Sequence, residues 1–200
     1  MYRVIKRILN LLCSFVGVIV LSPFFLIISL LIKVTSKGPV FFVHERVGLN
    51  GKKFKLIKFR TMVNNAEEMI ASFSPEQKKE WEENYKLKDD PRITKIGKFL
   101  RRTSLDELPQ LINILKGDMS IVGPRPVVDE ELNWYGDKKD KLLSVKPGLT
   151  GWWAVNGRSN VPYPERCDLE LYYVDHISFA LDVKIILKTL GAIIKKDGAR

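Results

Sequence analysis

The longest apolar run of the chain comes first, over residues 8–32, and only a few polar residues interrupt it. At about 1.5 Å per residue, a straight helix of this length would reach roughly 37 Å, which is enough to cross the hydrocarbon core of a bilayer. The run is too long for the apolar part of a cleaved signal peptide, and no small-residue cleavage site follows it. The pattern therefore predicts a membrane helix within residues 1–38.

A Ser22-Pro23 pair lies near the middle of this run. Proline lacks the N–H that would bond the carbonyl of Ile19, so a kink is expected, and the Ser22 hydroxyl can bond a carbonyl one turn back. Basic residues flank the run on both sides, which favours both ends on the cytoplasmic side: Arg3, Lys6, Arg7, Lys33 and Lys37. We predict a re-entrant helix broken at Ser22-Pro23, and a proline-kinked helix that crosses the bilayer is the alternative.

The pattern changes to strand-like alternation after residue 38. Two such runs surround Asn50-Gly51, a dipeptide typical of hairpin turns, and residues 53–58 alternate lysines with apolar residues. A polar stretch follows, and its helix-capping signature at Ser74-Pro75-Glu76-Gln77 predicts one or two surface helices within residues 66–85. We therefore predict that residues 39–200 form one domain of the α/β class, which is mostly helical with a short β-hairpin.

The last helical period covers residues 182–196 and places apolar residues on one face and lysines on the opposite face. Such a basic amphipathic helix can lie in the headgroup region of a membrane, as an interfacial helix. Packing of the same apolar face against the protein's own core is the alternative that the pattern leaves open.

Net charge and cysteine content limit the classes of binding partner and the cellular compartment that the sequence indicates. Lysine and arginine total 33 against 23 acidic residues, a formal charge of +10, which indicates an anionic partner such as nucleic acid, phospholipid or a phosphorylated substrate. Cys13 and Cys167 predict free thiols in a reducing compartment. Neither the cysteines nor His44 and His176 have the spacing of a zinc site.

Two adjacent carboxylates, Asp106 and Glu107, lie in the segment RRTSLDELPQ at residues 101–110. One interpretation is structural: Ser104 and Glu107 form a capping box that starts a helix, and Gly117 ends it. The other is chemical. Both can hold, because a helix N-terminus is itself a site for phosphate.

Two loops rich in glycine and proline, residues 117–126 and 146–158, each end near an arginine, Arg125 and Arg158. Such residues fix tight turns that expose amides, and a guanidinium can hold a phosphate through two parallel hydrogen bonds. Ordinary loops with solvated arginines are the alternative. Neither loop matches a Walker A or a dinucleotide-binding pattern, so neither an ATPase nor a Rossmann enzyme is indicated.

Four motifs in order resemble the bacterial sugar transferases known as small monotopic phosphoglycosyl transferases: KFRTM at 58–62, SLDELPQLINILKGDMSIVGPRP at 104–126, PGLTG at 147–151 and VNGR at 155–158. The resemblance covers essentially the whole chain. It implies transfer of a sugar-1-phosphate from a UDP-sugar to polyprenol (undecaprenyl) phosphate with release of UMP, as the first membrane step of polysaccharide or glycoconjugate synthesis. It also implies a monotopic protein on the cytoplasmic face of the bacterial inner membrane, with no nucleic acid as partner.

The resemblance also implies the site residues. Asp106 and Glu107 match the catalytic pair of the family. By this likeness, Asp106 forms a covalent phosphosugar intermediate and binds Mg²⁺, while Glu107 assists. Basic residues that bind substrate are implied at four positions: Lys58, Arg101, Arg125 and Arg158. The pair Ser22-Pro23 matches the break in the membrane helix of the family.

Some features stay open. Family members often have Gln where this chain has Ala154, and Trp152-Trp153 precede it, so base stacking, core packing and interfacial anchoring are all open to these tryptophans. The acidic insertion is most similar to members that transfer galactose or glucose phosphate, but the sugar, the polyprenol length and the oligomeric state, a homo-oligomer included, are not defined.

Two rival hypotheses remain beside the leading one. The first is a non-catalytic membrane-surface protein that binds anionic lipid or a partner. The second is an enzyme in which Asp106 only binds metal and the polyprenol phosphate attacks directly.

Overall fold

The chain is mostly helical in a computed structural model, which describes residues 2–84, 87, 89–157 and 161–195 and confirms the predicted fold class. The helices are α1 (Tyr2–Thr35), α2 (Pro75–Asn84), α3 (Lys95–Thr103), α4 (Gln110–Lys116), α5 (Lys139–Leu143), α6 (Trp152–Val155), α7 (Glu165–Asp175) and α8 (Phe179–Lys195). The strands are β1 (Phe41–Val47), β2 (Lys53–Phe59), β3 (Ser120–Val122) and β4 (Gly148–Thr150).

The first two strands form the predicted antiparallel hairpin, whereas β3 and β4 form a short parallel pair. Asn50 has a φ of 55° and Gly51 a φ of 78°, as tight hairpin turns require. On β2, Phe54 and Leu56 are buried while Lys53 and Lys55 are exposed, so the predicted alternation is confirmed over residues 53–56.

Helix α2 begins as its sequence predicts. The Ser74 hydroxyl accepts a hydrogen bond from the Gln77 amide at 3.2 Å, and the Ser74 amide donates to the Gln77 side chain at 3.0 Å. This reciprocal pair is a capping box, and Pro75 takes the first helical position.

Helix α1 is long and apolar enough to cross a membrane. It continues through Ser22-Pro23, so the predicted break does not interrupt the helix. The physical reason lies in the hydroxyl of Ser22, which donates to the Ile19 carbonyl at 2.8 Å. That carbonyl is the acceptor that Pro23, lacking an N–H, leaves without its usual partner.

The same helix contacts the rest of the protein from its first turn to its last. Lys6 forms an ion pair with Asp182 at 2.6 Å near one end, and Ile32 packs in a cluster with Phe59 and Leu100 at the other. The opposite face of α1 exposes large apolar side chains along its length, among them Ile5, Leu12, Ile19, Leu26 and Val34.

The exposure of side chains on helix α8 shows whether its predicted apolar face packs against the core of the protein. Among the side chains of α8 that the structure describes, Ile185 is fully buried and packs with Val122 and Tyr173. The predicted apolar face is exposed instead, with Leu187 at 64% and Leu190 at 54%. This face therefore does not form the core, and its exposure fits an interfacial helix.

Candidate active site

Helix α3 is held against the end of β2, and its position determines where the two carboxylates lie. The Thr94 hydroxyl caps α3 by accepting from the Gly97 amide at 2.9 Å, and the Thr94 amide donates to the Thr61 carbonyl at 3.0 Å. A Cβ at Gly97 would lie 2.0 Å from that same carbonyl oxygen, so only glycine allows this close approach.

The carboxylates lie in a turn between α3 and α4, and this corrects one prediction. Ser104 does not start helix α4: it ends α3 in a left-handed conformation with a φ of 57°, and its side chain makes no cap hydrogen bond to the 3₁₀ turn that follows. An N-cap residue needs an extended backbone, so the capping-box interpretation is wrong here. Asp106 and Glu107 lie in a short 3₁₀ turn, and Gly117 ends α4 as predicted.

Asp106 lies in an unfavourable environment for a negative charge. Burial, followed by the neighbouring Glu107, raises the pKa of Asp106 above the usual aspartate range, while Lys58 and Arg101 oppose the shift. The Lys58 ammonium is 2.6 Å from Glu107 Oε1. The structure thus brings together four of the predicted site residues.

Arg101 is held by a residue that the sequence did not single out. Its Nε donates to the Thr61 hydroxyl at 2.9 Å. Burial lowers the pKa of the Arg101 guanidinium, and the Asp106 carboxylate has the largest effect in the opposite direction. The only signal for Thr61 was its place in the KFRTM motif. Lys58 and Thr61, three residues apart, therefore hold Glu107 and Arg101.

Arg125 lies in a second charged cluster. It forms an ion pair with Glu131 at 2.6 Å, and its amide donates to Glu170 at 3.1 Å. Arg46 approaches the other oxygen of Glu131 at 3.4 Å. The geometry gives Arg125 these partners, and its contact with substrate stays a prediction.

Glu170 is a buried carboxyl of this cluster that sequence reasoning missed. It is 1% exposed, and its Oε1 has no hydrogen-bond partner among the described residues. Burial raises the pKa of Glu170 to about 7, against the opposing effect of the Arg125 amide and of nearby guanidinium groups. The group thus titrates near neutral pH.

Trp153 is half-buried and belongs to a stack that includes Arg125. Its ring lies 5.8 Å from the Arg125 guanidinium and 4.5 Å from that of Arg166. Tyr163 follows at 4.8 Å from Arg166, and Trp134 stacks on Tyr163 at 5.4 Å. Of the roles left open, packing against other side chains through cation–π contacts describes Trp153.

Trp152 has a different environment. Its ring stacks on Tyr172 at 5.3 Å, and the ammonium groups of Lys184 and Lys188 lie 5.5 and 5.3 Å from its centre. Both lysines belong to α8, beside the exposed apolar face. Trp152 also packs against the buried cluster around Ile185, so core packing and the interfacial role both describe it.

Two predicted features remain to be placed. Arg158 lies outside the described residues. For a metal, the described part of the chain holds no group of three or more His, Cys, Asp or Glu side chains. Mg²⁺ commonly binds through one or two carboxylates together with substrate phosphates and water. Asp106 and Glu107 fit that smaller set.

Comparison with known proteins agrees with the motifs. The family model for bacterial sugar transferases matches residues 1–196. The chain is 47% identical over 201 residues to the undecaprenyl-phosphate galactose phosphotransferase of Salmonella typhimurium, covering 98% of this chain and 42% of the relative. It is 44% identical over 200 residues to the UDP-galactose-lipid carrier transferase of Erwinia amylovora, with coverages of 98% and 42%.

A shorter relative matches over most of its own length. The exopolysaccharide production protein ExoY of Sinorhizobium fredii is 43% identical over 197 residues, covering 97% of this chain and 87% of that protein. The chain therefore spans less than half of the Salmonella and Erwinia relatives and most of ExoY. The chain belongs to the bacterial sugar transferase family.

Proposed function

We propose that the protein transfers a sugar-1-phosphate from a UDP-sugar to undecaprenyl phosphate and releases UMP, as the first membrane step of an exopolysaccharide or related glycan. The observation that carries this proposal is the environment of Asp106. A partly buried carboxylate lies beside Glu107, and two basic groups, Lys58 and Arg101, act on it. Such a set suits attack on an anionic diphosphate.

The first displacement forms the covalent intermediate. An oxygen of Asp106 attacks the phosphorus that bears the sugar, the phosphoanhydride bond to UMP breaks, and UMP leaves with the bridging oxygen. Arg101 stabilises the charge that develops on the phosphoryl oxygens, where one well-placed donor contributes about 3 to 4 kcal/mol.

The second displacement restores the enzyme. An oxygen of polyprenol phosphate attacks the same phosphorus, the bond to Asp106 breaks, and the product is a polyprenol diphosphate sugar. Glu107 accepts the proton if the acceptor phosphate arrives singly protonated, and Lys58 keeps the Glu107 carboxylate oriented at 2.6 Å.

We propose Mg²⁺ as the cofactor, held by Asp106 with assistance from Glu107 and by diphosphate oxygens. The ion would reduce repulsion between the carboxylates and the anionic substrate.

The packing of α1 supports a monotopic topology with both ends on the cytoplasmic side of the inner membrane. Its 34 residues extend about 50 Å at 1.5 Å per residue, longer than a hydrocarbon core of about 30 Å. The globular part contacts α1 near both ends, through Asp182 and Phe59. If α1 crossed the bilayer upright, this charged part would have to enter the hydrocarbon.

We further propose a hexose, with galactose first. The names of the Salmonella and Erwinia relatives specify galactose. UDP-galactose is therefore the first donor to test.

The decisive experiment is intact-mass analysis of the protein in nanodiscs with Mg²⁺ and a panel of UDP-sugars, without acceptor, alongside UMP release and an Asp106→Asn control. A sugar-phosphate mass increment that requires Asp106 and disappears on addition of undecaprenyl phosphate is expected. UMP release only with acceptor, and no adduct, would favour direct attack. The absence of both across the panel would favour the non-catalytic rival.

A further inference from the structure

Residues 58–61 connect the proposed active site to the membrane helix. On one side, Lys58 holds Glu107 at 2.6 Å and the Thr61 hydroxyl accepts from Arg101 at 2.9 Å. Of the two residues between them, Phe59 packs on α1 and Arg60 bonds the residues that directly follow α1. Four consecutive residues thus contact both the site and the end of the helix.

Phe59 makes the apolar part of the contact with α1. It is 1% exposed, its ring lies 5.5 Å from that of Phe25, and Ile28 and Ile32 belong to the same buried cluster. A displacement of this part of α1 would therefore open a cavity or force Phe59 to follow.

Arg60 makes the polar part of the contact, at the point where α1 ends. Its Nη2 donates to the Ser36 carbonyl at 3.0 Å and to the Ser36 hydroxyl at 2.9 Å, and its Nη1 donates to the Lys37 carbonyl. Gly38 has a φ of 117°, and a Cβ there would lie 2.6 Å from the Arg60 Nη1. The chain after α1 is therefore shaped to receive this guanidinium.

This attachment resists separation. Arg60 is 6% exposed, and its hydrogen-bond partners in the described part of the chain are carbonyl and hydroxyl oxygens at the end of α1. Carbonyls at a helix C-terminus carry partial negative charge, which favours a cation there. Pulling the strand away would leave a buried guanidinium and several carbonyls without partners, which is strongly unfavourable.

We infer that Arg60 is a positioning residue that fixes the end of α1 to the strand residues holding Glu107 and Arg101. The position of α1 in the bilayer then sets the geometry of Asp106 and Glu107, although the Arg60 side chain itself bonds the chain at the end of α1. This inference rests on the proposed transferase function.

The test compares Arg60→Met and Arg60→Lys with wild type in nanodiscs, using UDP-galactose and undecaprenyl phosphate and measuring kcat, KM and the melting temperature. Lys33→Gln is the matched control, because Lys33 also donates to a carbonyl at this helix end, Gly38 at 3.5 Å, but forms no hydrogen bond or ion pair with residues 58–61 in the described part of the chain. Arg60→Met should lower kcat by about 10- to 100-fold, as misplacement of reacting groups by about 1 Å does.

The remaining outcomes decide between positioning and mere stability. Arg60→Lys should recover part of kcat, and Lys33→Gln should match wild type. A kcat per folded molecule that stays at the wild-type value in Arg60→Met and Arg60→Lys would overturn the inference. If Arg60→Met fails to fold, a lowered kcat in Arg60→Lys at an unchanged melting temperature still supports the inference, and an unchanged kcat refutes it.

A distance measurement separates failure of this inference from failure of the proposed function. Spin labels at Val34 and Lys98, in a background with Cys13 and Cys167 replaced, report the distance between the end of α1 and the middle of α3 by pulsed electron paramagnetic resonance. Arg60→Lys should broaden or shift this distance, and Lys33→Gln should not. Wild type without turnover would reject the function alone, whereas an unchanged distance in Arg60→Lys would reject the coupling.

Discussion

The side chain of Asn113 makes the backbone hydrogen bonds to Ile57 and Lys55 that a neighbouring strand would make. Its Oδ1 accepts from the Ile57 amide at 3.0 Å, and its Nδ2 donates to the Lys55 carbonyl at 2.7 Å. Asn113 is fully buried on α4. One amide group thus satisfies an edge of β2 and fixes the strand that carries Lys58 relative to the helix that follows the catalytic turn.

Replacing Asn113 with leucine should therefore destabilise the protein by at least about 2 kcal/mol, because a buried donor and a buried acceptor lose their partners. The measurement is denaturant unfolding in a mild detergent. Asn133→Leu, at an exposed position, is the control and should change the free energy of unfolding by less than about 0.5 kcal/mol. Equal effects of the two substitutions would contradict this role.

Glu170 predicts a specific pH dependence of stability. Burial raises its pKa from 4.5 to about 7 in the folded protein, so the folded state binds a proton more tightly than the unfolded state between these values. Its contribution is fully present below about pH 4.5 and is lost as the pH rises through about 7. Stability from this group therefore falls with rising pH.

Glu170→Gln removes this dependence while retaining an acceptor for the Arg125 amide. The difference in melting temperature between variant and wild type should move in favour of the variant from pH 5.5 to pH 8, since only the wild type must then bury a charge or take up a proton. A difference that is constant over this range would show that Glu170 does not titrate there.

The hydrogen bond from Ser22 to the Ile19 carbonyl, which Pro23 leaves without an amide donor, can be tested with a matched pair of variants. Ser22→Ala removes the donor to the Ile19 carbonyl, which has no helical donor at Pro23, and should lower stability in nanodiscs by about 1 kcal/mol. Ser29→Ala removes a similar bond to Phe25 at 2.6 Å, but that carbonyl keeps the Ser29 amide as its helical partner. Thermal unfolding should show a larger loss of stability for Ser22→Ala than for Ser29→Ala. An equal loss would show that the Ser22 hydroxyl does not compensate for the missing amide of Pro23.

Substitutions of the two adjacent tryptophans should have different effects on turnover and on membrane binding. Trp153→Leu removes the ring between Arg125 and Arg166, so turnover should fall even in detergent. Trp152→Leu should leave turnover in detergent close to wild type and weaken sedimentation with anionic vesicles, because Trp152 lies beside Lys184 and Lys188. Reversal of these effects would exchange the two roles.

Local sequence rules predicted several elements and failed where the backbone was set by distant contacts. The hairpin at Asn50-Gly51 and the start of α2 depend on neighbouring residues, so their chemistry is readable in sequence. The prediction for Ser104 was wrong, because the connection between α3 and α4 imposes a left-handed conformation on this residue and capping rules do not describe that conformation. Capping propensity is a weaker constraint than the packing of both helices.

The candidate site shows the same division. Motif resemblance identified Asp106 and Lys58, but the roles of Thr61 and Glu170 emerge only from contacts between segments 40 or more positions apart. Buried side chains of this kind carry no local signal, since their partners come from other elements of the fold.

The polar face of α1 has a consequence for biogenesis. Arg7 donates to the Ile114 carbonyl at 2.6 Å, and Asn10 donates to Ser120 at 2.9 Å, so the partners of the first helix are more than 100 residues away in sequence. During synthesis the ribosome completes α1 long before these partners exist. Long-range contacts form slowly, and unpaired apolar helices aggregate. The apolar face of the nascent helix therefore needs lipid or another apolar cover until residues 114–120 are made, and α1 reaches its final place only after these later segments.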